Sequence, residues 1–102
     1  MLDLRPNCEC CDTDLPPDAT HARICSYECT FCADCVDTVL HNVCPNCGGG
    51  FQPRPIRPRG EWRPGEGLRH HPASTQRRSL RFSRDAVTAF SQSLRHLPPE
   101  QR

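Results

Sequence analysis

The chain has 102 residues, among them nine cysteines, eleven prolines and six glycines, with one Met, one Trp and one Tyr. So little apolar material, so often interrupted, excludes a large self-sufficient core; such a chain needs disulfides, a metal or a partner to stay folded. The formal net charge of +1 conceals two electrostatic halves: residues 1–51 set eight acidic groups against Arg5 and Arg23, a net of −6, and residues 52–102 set eleven arginines against Glu61, Glu66, Asp85 and Glu100, a net of +7. Lysine is absent, so every basic side chain is a guanidinium. No stretch approaches the roughly 18 apolar residues of a membrane span, so no membrane association is expected. Met1-Leu2-Asp3-Leu4-Arg5-Pro6 lacks the basic start and apolar run of an export signal. A cytoplasmic location follows as the expectation. Structural disulfides are rare in that compartment, and an odd cysteine count fits a disulfide framework poorly.

In chain order, Cys8-Glu9-Cys10-Cys11 reads as a turn presenting two sulfurs, and Leu15-Pro16-Pro17 as loop. Ala22 to Tyr27 reads as a short strand. A short helix is expected from Ala33 to Leu40, burying Val36, Val39 and Leu40, with Phe31 and Phe51 as packing companions. Cys32 sits just before that helix and Cys35 in its first turn, where the helix dipole favours thiolates. In Cys44-Pro45-Asn46-Cys47-Gly48 the proline fixes one turn position and Gly48 permits the positive φ of a tight ligand loop. Residues 52–79 are dense in Pro, Arg and Gly and read as extended, turn-rich chain. Residues 80–102 contain a helix with Val87, Phe90, Leu94 and Leu97 on one face, Ser83 as N-cap, Asp85 in the first turn, and Arg95 and His96 in the last. The resulting division is a cysteine domain at 1–51, an Arg/Pro/Gly segment at 52–79 and a helical tail at 80–102.

Eight of the nine cysteines fall into four pairs: Cys8/Cys11, Cys25/Cys29, Cys32/Cys35 and Cys44/Cys47. Two tetrahedral sites need eight ligands. Four thiolates suit zinc or iron; the spacings differ from those of iron–sulfur proteins, so two Zn2+ per chain are expected. Sites with four protein ligands are closed, and closed sites hold structure rather than catalyse. Three pairings are open on spacing alone: sequential, interleaved, or Cys25, Cys29, Cys32 and Cys35 on one ion.

The run C-x2-C, C-x3-C-x2-C-x2-C, C-P-x-C over residues 8–47 resembles the RING finger, with FCADCV followed by CPNCG as its most similar part. That resemblance implies a small metal-stabilised α+β fold of treble-clef type with interleaved sites: Cys8, Cys11, Cys32, Cys35 on one ion and Cys25, Cys29, Cys44, Cys47 on the other. The sequence departs from RING ubiquitin ligases where those contact the conjugating enzyme: Cys10 replaces an aliphatic residue, VDTVLHNV lacks a Trp, and Gly48 stands where an Arg is frequent. The whole chain also resembles an uncharacterised bacterial family of small cysteine-rich proteins, through LRPNCECC, LPPDAT, ICSYECTFCADC, CPNCGGG and HPAST.

Four further features bear on function. Arg54, Arg57, Arg59 and Arg63 with Trp62 form a candidate surface for phosphates and stacked bases; the alternative is a solvated segment lying across its own acidic domain. Cys10 is spare, either a filler thiol or a redox-reactive one. His21 and His41 are not needed as ligands, and His70-His71 is expected at the surface. No nucleophile with a base, phosphate loop or paired carboxylate is evident, so the chain is not expected to be an enzyme. The expected function is a zinc-stabilised protein-interaction module; a nucleic-acid-associated zinc protein is the second reading and a ligase of RING type the third.

Overall fold

The computed structural model describes residues 1–102. Strand β1 (Ala22–Ile24) and strand β2 (Thr30–Cys32) form a hairpin in the register Ala22↔Cys32, Arg23↔Phe31, Ile24↔Thr30. Strand β3 (Gln52–Pro53) pairs antiparallel with the other edge of β1, giving the order β2-β1-β3. The strand expected over Ala22–Tyr27 stops at Ile24 because the second cysteine pair is the hairpin turn. Cys25 N–H donates to Cys29 C=O at 3.2 Å, Glu28 N–H donates to Cys25 C=O at 3.0 Å, and Glu28 takes φ 66°.

Cys32 ends β2 in extended geometry and caps the helix that follows. Helix α1 (Ala33–Cys35) continues as a wider π-helical turn over Val36–Leu40, so the helical run has the expected extent. The widening has a local cause: the Thr38 hydroxyl donates to the Asp34 carbonyl at 2.7 Å, competing for the acceptor an α-helical N–H would use. Two left-handed residues, His41 (φ 49°) and Asn42 (φ 61°), end the run. Asn42 Oδ1 then accepts from Phe51 N–H at 2.9 Å, tying the helix exit to the approach of β3. Val36 and Leu40 are buried and Val39 packs against them. Phe31 and Phe51 meet edge-to-face with centroids 5.4 Å apart.

Helix α2 (Arg84–Leu94) is capped by Ser83, whose side chain accepts from Ala86 N–H at 3.1 Å. Its buried face differs from the expected one. Val87 and Ser91 are buried, whereas Phe90 is 38% exposed. The helix is turned so that Ser91 Oγ donates to the Leu40 carbonyl at 2.6 Å, a second hydrogen bond beside the one that carbonyl accepts from Val43 N–H at the end of the π-turn. The helix also ends earlier than expected: Arg95 is its C-cap and His96 lies beyond it. A short 3-10 turn (Pro99–Gln101) closes the chain, and Arg102 donates to the carbonyls of Leu97, Asn42 and Gly48.

Between β3 and α2 the chain is extended or turned and is fastened to the cysteine-bearing part by arginines. Arg54 is 4% exposed and donates to the carbonyls of Arg5, Leu15 and Pro16. Arg57 donates to the carbonyls of Leu2 and His71. Arg77 bridges Asp12 and Asp14. No helix is long and apolar enough to cross a membrane.

Arg54 thus acts as an internal strut, tying the Arg5 carbonyl to the Leu15 and Pro16 carbonyls of the proline loop. Arg54→Ala is expected to lower stability by about 3 kcal/mol, from the loss of charged hydrogen bonds and the stranding of buried acceptors. Chemical denaturation of the metal-loaded chain reads this directly; an unchanged midpoint would show that the strut carries no load.

Candidate metal centre

The Sγ atoms of Cys8, Cys11, Cys32 and Cys35 lie within 4.8 Å of one another. The Cys11 and Cys32 sulfurs are 3.7 Å apart, close to the roughly 3.8 Å edge of a tetrahedron with metal–sulfur bonds of ~2.3 Å. A second group joins Cys25, Cys44 and Cys47 within the same radius. The first pair has therefore met the third, and the second has met the fourth. Neither group contains a histidine; His21 and His41 are exposed.

Cys29 differs from the expected arrangement. Its sulfur accepts from Asn46 Nδ2 at 3.4 Å but stands outside the tight trio, at the end of the hairpin turn after left-handed Glu28.

The first and last pairs sit on one repeated backbone device. Cys8 N–H donates to Thr13 C=O at 2.9 Å and Asp12 N–H to Cys8 C=O at 2.9 Å; Cys44 N–H donates to Gly49 C=O at 2.8 Å and Gly48 N–H to Cys44 C=O at 2.8 Å. The residue after the second cysteine is left-handed in both, Asp12 at φ 66° and Gly48 at φ 79°. This tight turn aims backbone amides at sulfur: Cys10 and Cys11 N–H at Cys8 Sγ, and Gly49 N–H at Cys47 Sγ, all at 3.4–3.5 Å. Tyr27 N–H does the same for Cys25 Sγ at 3.4 Å. Amide donors favour thiolate over thiol.

The sulfurs perturb one another's protonation. Cys25 is held down to about 3 by hydrogen bonds from Cys29 and Cys44, while Cys44 is pushed far up because its thiol is held by Cys25 and Cys29. Burial likewise pushes Cys35 up. Packed this closely, the sulfurs ionise together only around a cation, and an all-sulfur donor set suits a soft tetrahedral metal.

Glu9, between two cysteines, is a structural residue that spacing did not reveal. It is 6% exposed; its carboxylate accepts from Thr30 N–H at 2.6 Å and Arg5 Nη1 at 3.2 Å, and its own N–H donates to Thr30 C=O. It fastens the first knuckle to β2, the strand that delivers Cys32. Burial raises its carboxyl above the ordinary range. Cys10 is half-buried and its thiol meets Cys35; burial pushes it up, away from thiolate character.

The arginine–tryptophan surface is only partly assembled. Arg54 is buried and donates to backbone carbonyls, and Arg57, half-buried, donates to two carbonyls as well. Arg59 lies 3.7 Å from Asp18, Arg63 bonds only the Trp62 carbonyl, and Trp62 is 78% exposed. A cavity of about 610 Å³ gathers Arg57, Arg59 and Trp62 with Pro17, Ile56 and Leu68.

Residues 1–57, which carry both cysteine groups, match the family described as "Protein of unknown function (DUF1272)". The chain belongs to this family. An uncharacterized protein of Rhizobium meliloti is 57% identical over 77 residues, covering 76% of this chain and 84% of its own length. No solved structure matches. The part matched to DUF1272 ends at residue 57, so α2 and the Arg77 bridge lie outside it.

Gly48 is where the repeated turn meets the tail. Its φ is +79°, and a Cβ there would lie 3.1 Å from Leu94 Cδ1. Gly48→Ala is expected to cost about 1–2 kcal/mol through left-handed strain, with further loss from displacing α2. Asp12→Gly, at the matching position of the first knuckle, is expected to be tolerated at the backbone. Thermal unfolding of both variants tests the equivalence of the turns; equal behaviour of Gly48→Ala and wild type would refute it.

Proposed function

We propose that this DUF1272 protein is a structural zinc protein holding two ions in interleaved sites of treble-clef, RING-like type, and that it works as a protein-interaction module. Cys8, Cys11, Cys32 and Cys35 hold one ion; Cys25, Cys44 and Cys47 hold the other, with Cys29 closing in as fourth ligand. The observation that carries this reading is the convergence of sequence-distant cysteine pairs into two compact sulfur groups whose knuckles point amides at the sulfurs. Zinc supplies cross-links rather than chemistry in such closed sites. A structural zinc is worth on the order of 10–16 kcal/mol, more than the roughly 5–15 kcal/mol that separates a typical domain from its unfolded state. The metal therefore decides whether the cysteine-bearing part folds. Free thiols in this number suit a reducing compartment such as the cytoplasm.

An interaction role is supported by the surface beside the second knuckle. A cavity of about 380 Å³ is lined by Pro45, Phe82, Ala86, Val87 and Phe90, and Tyr27 and Phe82 are 72% and 47% exposed. Aromatic side chains at the surface are the residues that anchor protein partners. The second reading, binding of single-stranded nucleic acid, is supported by the cavity that holds Arg57, Arg59 and Trp62 together; any such binding should weaken steeply with salt.

The test is metal content per chain by elemental mass spectrometry, read against circular dichroism. Two zincs are expected, with loss of structure on chelation. Cys44→Ser should drop the content to one ion, and Cys10→Ser should keep two. One zinc in the wild type, or iron, would overturn the two-site reading; loss of an ion in Cys10→Ser would reassign the first site.

A further inference from the structure

The largest surface feature that the proposed function leaves unused is a cavity of about 590 Å³ over the second sulfur group. Cys29, Cys47 and Asn46 line it together with Arg5, Glu9, Tyr27, Arg78, Ser79 and Arg81. Arg5 already pairs with Glu9. Arg78 and Arg81 make no ion pair and no side-chain hydrogen bond; the Arg81 guanidinium lies 5.9 Å over the Phe82 ring. Arg5 Nε, 3.9 Å from Asp3, and Asn46 Oδ1 are buried without hydrogen-bond partners. Arginines without a carboxylate partner beside a cavity ordinarily suggest an external anion. Here charge bookkeeping points elsewhere. A divalent ion with four thiolates leaves a net of −2 at Cys25, Cys29, Cys44 and Cys47, and two free guanidiniums restore neutrality.

We propose that Arg78 and Arg81 are the counter-charges of this second metal site, and that the C-terminal segment thereby sets how firmly its ion is held. The inference rests on the reading of the second group as a metal site. The backbone that carries these arginines is placed for the role. Asn7, fully buried and adjacent to Cys8, exchanges two hydrogen bonds with the Arg78 backbone: Nδ2 to C=O at 2.7 Å and N–H to Oδ1 at 3.1 Å. Arg77, one residue earlier, grips Asp12 and Asp14 of the first knuckle. The first knuckle thus anchors the segment whose next residues face the second site. Asn46 completes the surround by donating to Cys29 Sγ at 3.4 Å. Groups around a metal's ligands tune affinity by about 10–100-fold. Arg78 and Arg81 line the cavity over the second group, whereas the tail arginine near Cys10 at the first group is Arg84, so the two ions should differ in their dependence on Arg78 and Arg81.

The test uses the full zinc-loaded chain and a chromogenic chelator, with mass spectrometry after alkylation to record which cysteines are freed as each ion leaves. In Arg78→Gln/Arg81→Gln, the ion at Cys25, Cys29, Cys44 and Cys47 is expected to bind about 10–100-fold more weakly, with the ion at Cys8, Cys11, Cys32 and Cys35 unchanged. Arg78→Lys/Arg81→Lys should restore most of the loss, and raising salt toward ~0.5 M should speed release in the wild type but not in the glutamine variant. Both side chains are exposed and the Arg78 latch runs through its backbone, so the variants keep the fold, which circular dichroism verifies. Unchanged release, or equal weakening of both ions, would overturn the proposal while leaving the two-site reading intact. A wild type that holds no ion at the second group would remove both.

Discussion

Everything in this structure depends on bringing four sulfurs together in one group and three in another. The sequence supplies too few apolar side chains to draw the chain in by burial alone, and much of the core is itself cysteine: Cys8, Cys25, Cys29, Cys32, Cys35 and Cys44 belong to one cluster with Leu15, Phe31, Val36, Leu40, Phe51 and Val87. Sulfur here serves as packing atom and as ligand. The backbone is bent to suit the ligand role. Left-handed residues follow two cysteines and precede a third, positions that a fold stabilised only by apolar contacts has no reason to strain.

Arginine does the second part of the work. Without lysine, each cation offers a planar set of donors that can close several carbonyls at once. Arg54 closes three, one at Arg5 and two in the Leu15-Pro16-Pro17 loop, where the prolines carry no N–H donor. Arg57 and Arg102 repeat the device at other irregular places. The excess positive charge of residues 52–102 is therefore spent in part on backbone acceptors and in part on Asp12, Asp14 and Asp18. That division explains how residues 54–83, which form no helix or strand, follow one path across the acidic half.

The cysteine spacing and the helix caps were legible because each is a local pattern. Cys32 before α1, Ser83 before α2 and the positive φ of Gly48 follow from neighbouring residues alone. What escaped reading was decided across the fold. Strands β2 and β3 are three and two residues long, too short to show an alternation. The face of α2 was misread because Val87, Phe90 and Leu94 satisfy helical spacing equally well when the helix is turned; the Leu40 carbonyl, distant in sequence, selects Ser91 as its partner. Arg54 looked like its arginine neighbours until Leu15 and Pro16 came within reach of it.

The unequal state of the two sulfur groups follows from the elements that carry them. The first group draws on a knuckle and on a helix start, and Glu9 bolts the knuckle to β2 just ahead of Cys32; its four sulfurs are already close. The second group draws on a knuckle and on a hairpin turn, whose two cysteines are separated by three residues rather than two. Cys29 stands outside the trio, where Asn46 donates to its sulfur. A site that must gather its last sulfur needs more help from its surroundings than one already gathered. The second group is the one that the arginine-bearing segment overlies.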